Sequence, residues 1–270
     1  SFINVGPAAQ LAFTVQPSAV VAGVAIAPAV RVTVQDAVGN TVTSSTASIT
    51  MAIGTNPASG TLSGTTEVAA VAGIATFSGL SLAKADTGYT LTAASGSLTA
   101  ATSSAFTVSA GAATKLAFTV QPSAVVAGVA ISPAVQVAVQ DAQGNTVTSS
   151  TASIAVAIGT NPSSGTLSGT TEVAAVAGVA TFSSLAIDKA GTGYTLTAAA
   201  TSLTGATSAA FNVTPGAATK LAFTVQPSNA TAGASVTPAV QVTVQDAAGN
   251  TVTGSTASIA VAIGTNPSSG

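Results

Sequence analysis

The chain has no cysteine, no histidine and no tryptophan. Without cysteine there is neither a disulfide framework nor a thiolate metal site. Without histidine, Ser-His-Asp and Cys-His nucleophile systems are excluded, and so are histidine-liganded metals. Charge is scarce too. Asp, Glu, Lys and Arg make up 4% of the residues, against about 25% in an ordinary globular protein. The five basic residues, Arg31, Lys84, Lys115, Lys189 and Lys220, are scattered over the whole length. Nucleic acids and anionic membranes are held by clustered Lys and Arg, so neither partner is expected. A formal net charge of −2 leaves little long-range field, and contacts should be short-range and largely insensitive to salt.

Mean hydropathy is high, at +0.62, yet no spanning segment is present. The longest apolar run, Ala19 to Val30, has 12 residues and contains Gly23 and Pro28. A membrane helix needs about 20 apolar residues. Ser1 is not an initiator Met, and no basic stretch precedes an apolar core, which reads as a piece of a longer protein or a processed form.

What the sequence does have is repetition. Leu11-Ala12-Phe13-Thr14-Val15-Gln16-Pro17-Ser18 recurs as Leu116 to Ser123 and as Leu221 to Ser228, 105 residues apart each time. Asp36, Asp141 and Asp246 keep the same offset, as do Glu67 and Glu172, Phe77 and Phe182, Tyr89 and Tyr194, and Phe106 and Phe211. The expected organisation is a first copy over 6–110, a second over 111–215 and the N-terminal half of a third over 216–270. Residues 1–5 match the end of a copy, Ala105 to Val108, and read as the last strand of a preceding one. The period is too long for a solenoid repeat and suits one independently folding domain per copy.

Within each copy the pattern is strand after strand. Val135, Val137 and Val139 alternate with smaller or polar residues, and so do Leu116, Phe118 and Val120, and Ile154, Val156 and Ile158. This period of two is that of a half-buried strand. No segment keeps a helical period with caps. Seven to nine short strands per copy, with turn signals every 8–12 residues, predict an all-β fold of tandem immunoglobulin-like sandwiches.

Two motifs stand out. Asp-x-x-Gly-Asn occurs as Asp36/Gly39/Asn40, Asp141/Gly144/Asn145 and Asp246/Gly249/Asn250, each after a strand. It reads as a hairpin turn in which Asp accepts turn amides while Gly and Asn take positive φ. The alternative is a cation site, although calcium wants about six to eight oxygens and each turn supplies one carboxylate. Thr87-Gly88-Tyr89 and Thr192-Gly193-Tyr194 carry both tyrosines of the chain. They stand just before the penultimate strand, the place of a tyrosine corner, where the ring fills core and the hydroxyl bonds back to the main chain. Stacking on carbohydrate is the alternative use. Catalytic machinery is not expected. The acid near the tyrosine moves, with Asp86 facing Gly191 in the alignment and Asp188 facing Ala83, so it holds no fixed role. No cofactor is expected either. Asn212-Val213-Thr214 and Asn229-Ala230-Thr231 are N-glycosylation sequons that matter only in a host with that machinery.

The run Val32-Thr33-Val34-Gln35-Asp36-Ala37-Val38-Gly39-Asn40-Thr41-Val42, followed by Ala75 to Leu80 and Thr87 to Ala93, resembles bacterial Ig-like repeat domains of the invasin/intimin type. The resemblance covers both full copies and the half copy. It implies a β-sandwich fold, a place in tandem on a large extracellular surface protein, and a part in a stalk. This chain departs from the usual pattern in its loss of charge and its Ala/Thr/Ser monotony, which favours self-association with neighbouring copies and the shaft of a self-assembling filament. A second reading is an adhesin whose repeats bind host or carbohydrate ligands, directly or through regions not present. It predicts exposed aromatics or variable loops, whereas Ile53-Gly54-Thr55-Asn56-Pro57 and Ile158-Gly159-Thr160-Asn161-Pro162 are the same. A third is a spacer attached to a secreted enzyme.

Overall fold

A computed structural model describes residues 5–265, so the expectation for residues 1–5 falls almost wholly outside the described residues, as does the tail of the third copy. The described residues form strands, turns and no helix, and no helix is long and apolar enough to cross a membrane. The fold is all-β and immunoglobulin-like. Cα proximity separates two compact units, residues 1–115 with 139–150, and residues 116–138 with 151–270.

The first copy contains twelve strands, more than the seven to nine expected: β1 Gln10–Val15, β2 Val20–Val21, β3 Val30–Gln35, β4 Ser48–Ile53, β5 Leu62–Ser63, β6 Glu67–Ala69, β7 Ile74–Phe77, β8 Ser81–Leu82, β9 Asp86–Tyr89, β10 Leu91–Ala94, β11 Ala101–Thr102 and β12 Phe106–Ser109. The excess lies in pieces of two or three residues. Seven strands have four or more, and short breaks divide what would otherwise be longer ones, as Thr90 divides β9 from β10.

The strands pair in sheets of order β1-β3-β7, β2-β12-β9 and β11-β10-β4-β6, and β5 pairs with β8. All pairings named here are antiparallel except β2 with β12, where Val20 and Val21 lie parallel to Val108 and Ser109. Alternation builds the core directly. Val30, Val32 and Val34 of β3 point inward while Arg31 is exposed. Ile49 and Met51 of β4 do the same, as do Leu91 and Ala93 of β10. Register places Leu11 beside Val34, Val30 beside Phe77, and Ala93 beside Met51, so each inward row meets an inward row. Each fully buried Val, Leu, Ile or Phe contributes about 1.5–3 kcal/mol, and with no disulfide this burial holds the copy together.

Each strand of the second copy begins 105 residues after its counterpart, from Lys115–Val120 to Phe211–Thr214. In the third copy only Lys220–Val225 and Gln241–Gln245 form strands among the described residues. There Leu221 is 55% exposed, whereas Leu11 and Leu116 are 5% and 4% exposed. The spacing would put the counterparts of β7, β10 and β12 beyond Gly270.

Candidate functional site

The Asp-x-x-Gly-Asn turn closes the end of β3. Asp36 is only 2% exposed, and N–H donors surround its carboxylate. Oδ1 accepts from the amides of Val38 (3.1 Å) and Asn40 (2.8 Å). Oδ2 accepts from the Asn40 side-chain amide (2.9 Å) and from the Gly6 amide (3.0 Å). The turn itself is closed by Asp36 N donating to Asn40 O at 2.9 Å. Asp141 and Asp246 repeat the arrangement with Asn145 and Gly111, and with Asn250 and Gly216. Gly39, Gly144 and Gly249 take the left-handed conformation, at φ of 92°, 83° and 83°. Asn40, Asn145 and Asn250 do not, contrary to the turn chemistry expected of them. Their side chains are engaged in holding the carboxylate.

The electrostatics follow from these donors. The Asn40 side-chain amide does most to hold the Asp36 carboxyl at about 2, below its ordinary 3.8, and it outweighs the upward push of burial. Burial acts most strongly on Asp141 and Asp246 and pushes them up. Hydrogen bonds from the Asn side chains and the turn and glycine amides more than offset it, so both lie below the usual carboxylate range. The oxygens that a cation would need already face N–H groups. Among the described residues no three His, Cys, Asp or Glu side chains gather closely enough to hold a metal ion.

The tyrosines end β9 and its counterpart, with one residue between each and the strand that follows, Leu91–Ala94 or Leu196–Ala199. Both are fully buried, so neither ring is open for stacking on a ligand. Tyr89 donates its hydroxyl to Lys84 O and Tyr194 to Lys189 O, each at 2.9 Å. Each ring tilts against a phenylalanine of the last strand, with centroids 6.1 Å apart for Tyr89–Phe106 and 6.2 Å for Tyr194–Phe211. Burial raises both phenol pKa values, and Asp86 and Asp188 add to the rise.

Sequence reasoning passed over three participants. Gly6, Gly111 and Gly216, each 30 positions ahead of its Asp, tie the incoming chain to the turn. Asn56 grips Gly60 at both ends, with Gly60 N donating to Oδ1 at 2.7 Å and Nδ2 donating to Gly60 O at 2.8 Å. That grip presses Gly60 on the tyrosine: a Cβ there would lie 3.0 Å from the Tyr89 hydroxyl, and at Gly165 2.8 Å from that of Tyr194. Ser103 and Ser208 are buried and cap the amides of Leu91 and Leu196. The repeated offset marked all of these, but Gly and Ser are so common here that the signal did not stand out. Among the described residues no buried side-chain N or O lacks a hydrogen-bond partner.

Five surface depressions of about 250–510 Å³ are open grooves with walls mainly of Ala, Val, Thr, Gly and Pro, and Asp36 is the one titratable side chain in those walls. Nothing in these grooves assembles a nucleophile with a base.

No family model matches the chain, and no curated protein matches it. Solved structures do. The Escherichia coli adhesin FdeC aligns over 93% of this chain and 79% of its own at 21% identity, with a TM-score of 0.39. A β-glycosidase from Bacteroides vulgatus aligns over 77% of this chain and 25% of its own at 12% identity and TM-score 0.33. The Yersinia pseudotuberculosis adhesin InvE aligns over 76% and 58% at 17% identity and TM-score 0.30. An adhesin and a hydrolase thus match at similar levels, and likeness of this degree decides nothing about function.

Proposed function

We propose that this chain is a structural repeat region of an extracellular bacterial surface protein, a stalk or the shaft of a self-assembling fibre, built of units at 6–110, 111–215 and 216 onward, and that it is not an enzyme. One observation carries the proposal. The buried Asp is engaged in its turn in all three copies, and in both full copies the tyrosine hydroxyl is engaged on a carbonyl and the buried Ser on an amide. Copies that share one set of internal bonds divide no labour, as suits a spacer. The resemblance to invasin/intimin-type repeats supports the surface location.

Negative-stain electron microscopy of the native full-length protein tests this. Ordered filaments with a regular axial repeat, or strings of beads, are the expected outcomes, for a shaft and for a stalk. Binding of host cells or glycans by these copies alone, lost on altering their loops, would overturn it in favour of an adhesin.

A further inference from the structure

The turn asparagines make bonds that their own copy does not require. Besides gripping Asp141, the Asn145 side chain reaches the main chain that precedes β9 in the first copy. Ala85 N donates to Asn145 Oδ1 at 2.9 Å, and Asn145 Nδ2 donates to Ala83 O at 2.9 Å. Both ends of the contact lie in the same compact unit, because residues 139–150 group with residues 1–115. One period later the bonds recur: Ala190 N donates to Asn250 Oδ1 and Asn250 Nδ2 donates to Asp188 O, each at 2.9 Å and inside the other unit. Asn145 and Asn250 are each 7% exposed.

The first turn shows the same surface uncovered. Asn40 makes the same two bonds to Asp36, through its amide and its Nδ2. It is half-exposed, and among the described residues no donor meets its Oδ1. The pair of complementary groups is specific: a carboxamide offers one acceptor and one spare donor, and an extended main chain offers N–H and C=O two residues apart. The contact needs no particular side chain, since Ala83-Lys84-Ala85 serves in one place and Asp188-Lys189-Ala190 in the other.

We propose that the asparagine face of each Asp-x-x-Gly-Asn turn is a docking surface for the copy that precedes it, and that Asn40 presents this surface to a further copy of the same repeat. The inference rests on the array reading and adds how its copies are joined. It also gives the asparagine a second role: with Asp and Gly it builds the turn, and its remaining acceptor and donor couple one copy to the next.

The full chain provides its own control. Asn145→Ala and Asn40→Ala remove the same bonds within a turn, but only Asn145→Ala removes a docking contact. Hydrogen exchange followed by NMR should show the Ala85 and Ala190 amides protected in the wild type. Asn145→Ala should speed exchange at Ala85 on the order of 10- to 100-fold and leave Ala190 unchanged, Asn250→Ala should do the reverse, and Asn40→Ala should do neither. Fast exchange at Ala85 in the wild type overturns the proposal without any variant, and so does equal behaviour of Asn40→Ala and Asn145→Ala. In a chain carrying one more 105-residue copy ahead of Gly6, Asn40→Ala should acquire the effect at the new copy's corresponding alanine amide. No such gain would refute the assignment of Asn40. These outcomes do not depend on whether micrographs show filaments, so failure here and failure of the array reading can be told apart.

Discussion

Changing Tyr89 to Phe and Gly60 to Ala, singly and together, tests whether hydroxyl and glycine form one device. Tyr89→Phe removes the 2.9 Å bond to Lys84 O. Lys84 lies at the surface, so water can satisfy the freed carbonyl, and the loss should be near the net value of one hydrogen bond, about 1 kcal/mol. For a domain of about 100 residues that lowers the melting midpoint by about 4 °C. Gly60→Ala puts a Cβ 3.0 Å from the Tyr89 hydroxyl, with Lys84 Cβ next at 3.4 Å and Asn56 Oδ1 at 3.6 Å. The tightest contact is thus the hydroxyl itself, and the overpacking should cost about 1–3 kcal/mol. With Phe at position 89 that atom is gone and the remaining contacts are close to ordinary. The double variant should therefore be about as stable as Tyr89→Phe alone, a coupling of about 1 kcal/mol or more. Scanning calorimetry of the full chain measures this, with the unaltered second copy as reference. Additivity of the two single changes within about 0.5 kcal/mol, or an unchanged midpoint for Tyr89→Phe, refutes the reasoning.

Acid should act through the turns. Asp36 has a folded pKa of about 2 against 3.8, so the unfolded chain takes up the proton first as pH falls. The stability it contributes is full above 3.8 and is lost as pH falls through about 2. Between about pH 5 and pH 2 the wild-type midpoint should drop more steeply than that of Asp36→Asn, and parallel curves would argue against the depressed pKa. A chelator should leave the melting midpoint unchanged, because N–H donors already occupy the oxygens of Asp36, and a clear drop would restore the cation site. Alkali should act through the tyrosines. Their pKa values are raised, so the stability they give is full below the ordinary value and is lost as pH rises through the folded one. Tyrosinate absorbance should therefore appear together with loss of the β-sheet circular dichroism signal, and ionisation well before unfolding would contradict the burial of the rings.

The fold was legible because several of its longer strands keep a period of two, as β4 and β10 do from end to end. Val30, Val32 and Val34 mark an inward row by alternation alone, and a 105-residue offset makes one copy a check on the next. The number of strands was not legible. A bulge at Thr14 and a break at Thr90 depend on tertiary register, and threonine is favourable on either side of such a break. At the turn, Asp and Gly could be placed from local chemistry, since only backbone geometry is involved. Asn could not. Asn and Gly both satisfy a left-handed turn position, and what distinguishes Asn145 is a partner 60 residues away, at Ala85. Distances of that kind are invisible to spacing rules.

The buried turn changes what the low charge means. Of seven acids in the chain, Asp36, Asp141 and Asp246 are buried, which leaves Glu67, Asp86, Glu172 and Asp188 to face solvent alongside the five cations. The surface is therefore nearly balanced, with nine charges over 14029 Å². Like-charge repulsion, the usual means of keeping copies apart, is almost missing. Glu67 and Glu172 are further screened by hydroxyls of Ser48 and Ser153, at 2.8 and 2.7 Å. What faces water instead is Thr, Ser and Ala together with valines such as Val38, Val71 and Val176, groups that hydrogen-bond or pack at short range and respond little to ionic strength. Association between such surfaces should be nearly independent of salt. Light scattering of the full chain across a salt series distinguishes this from a charge-driven assembly, which would dissociate as salt rises.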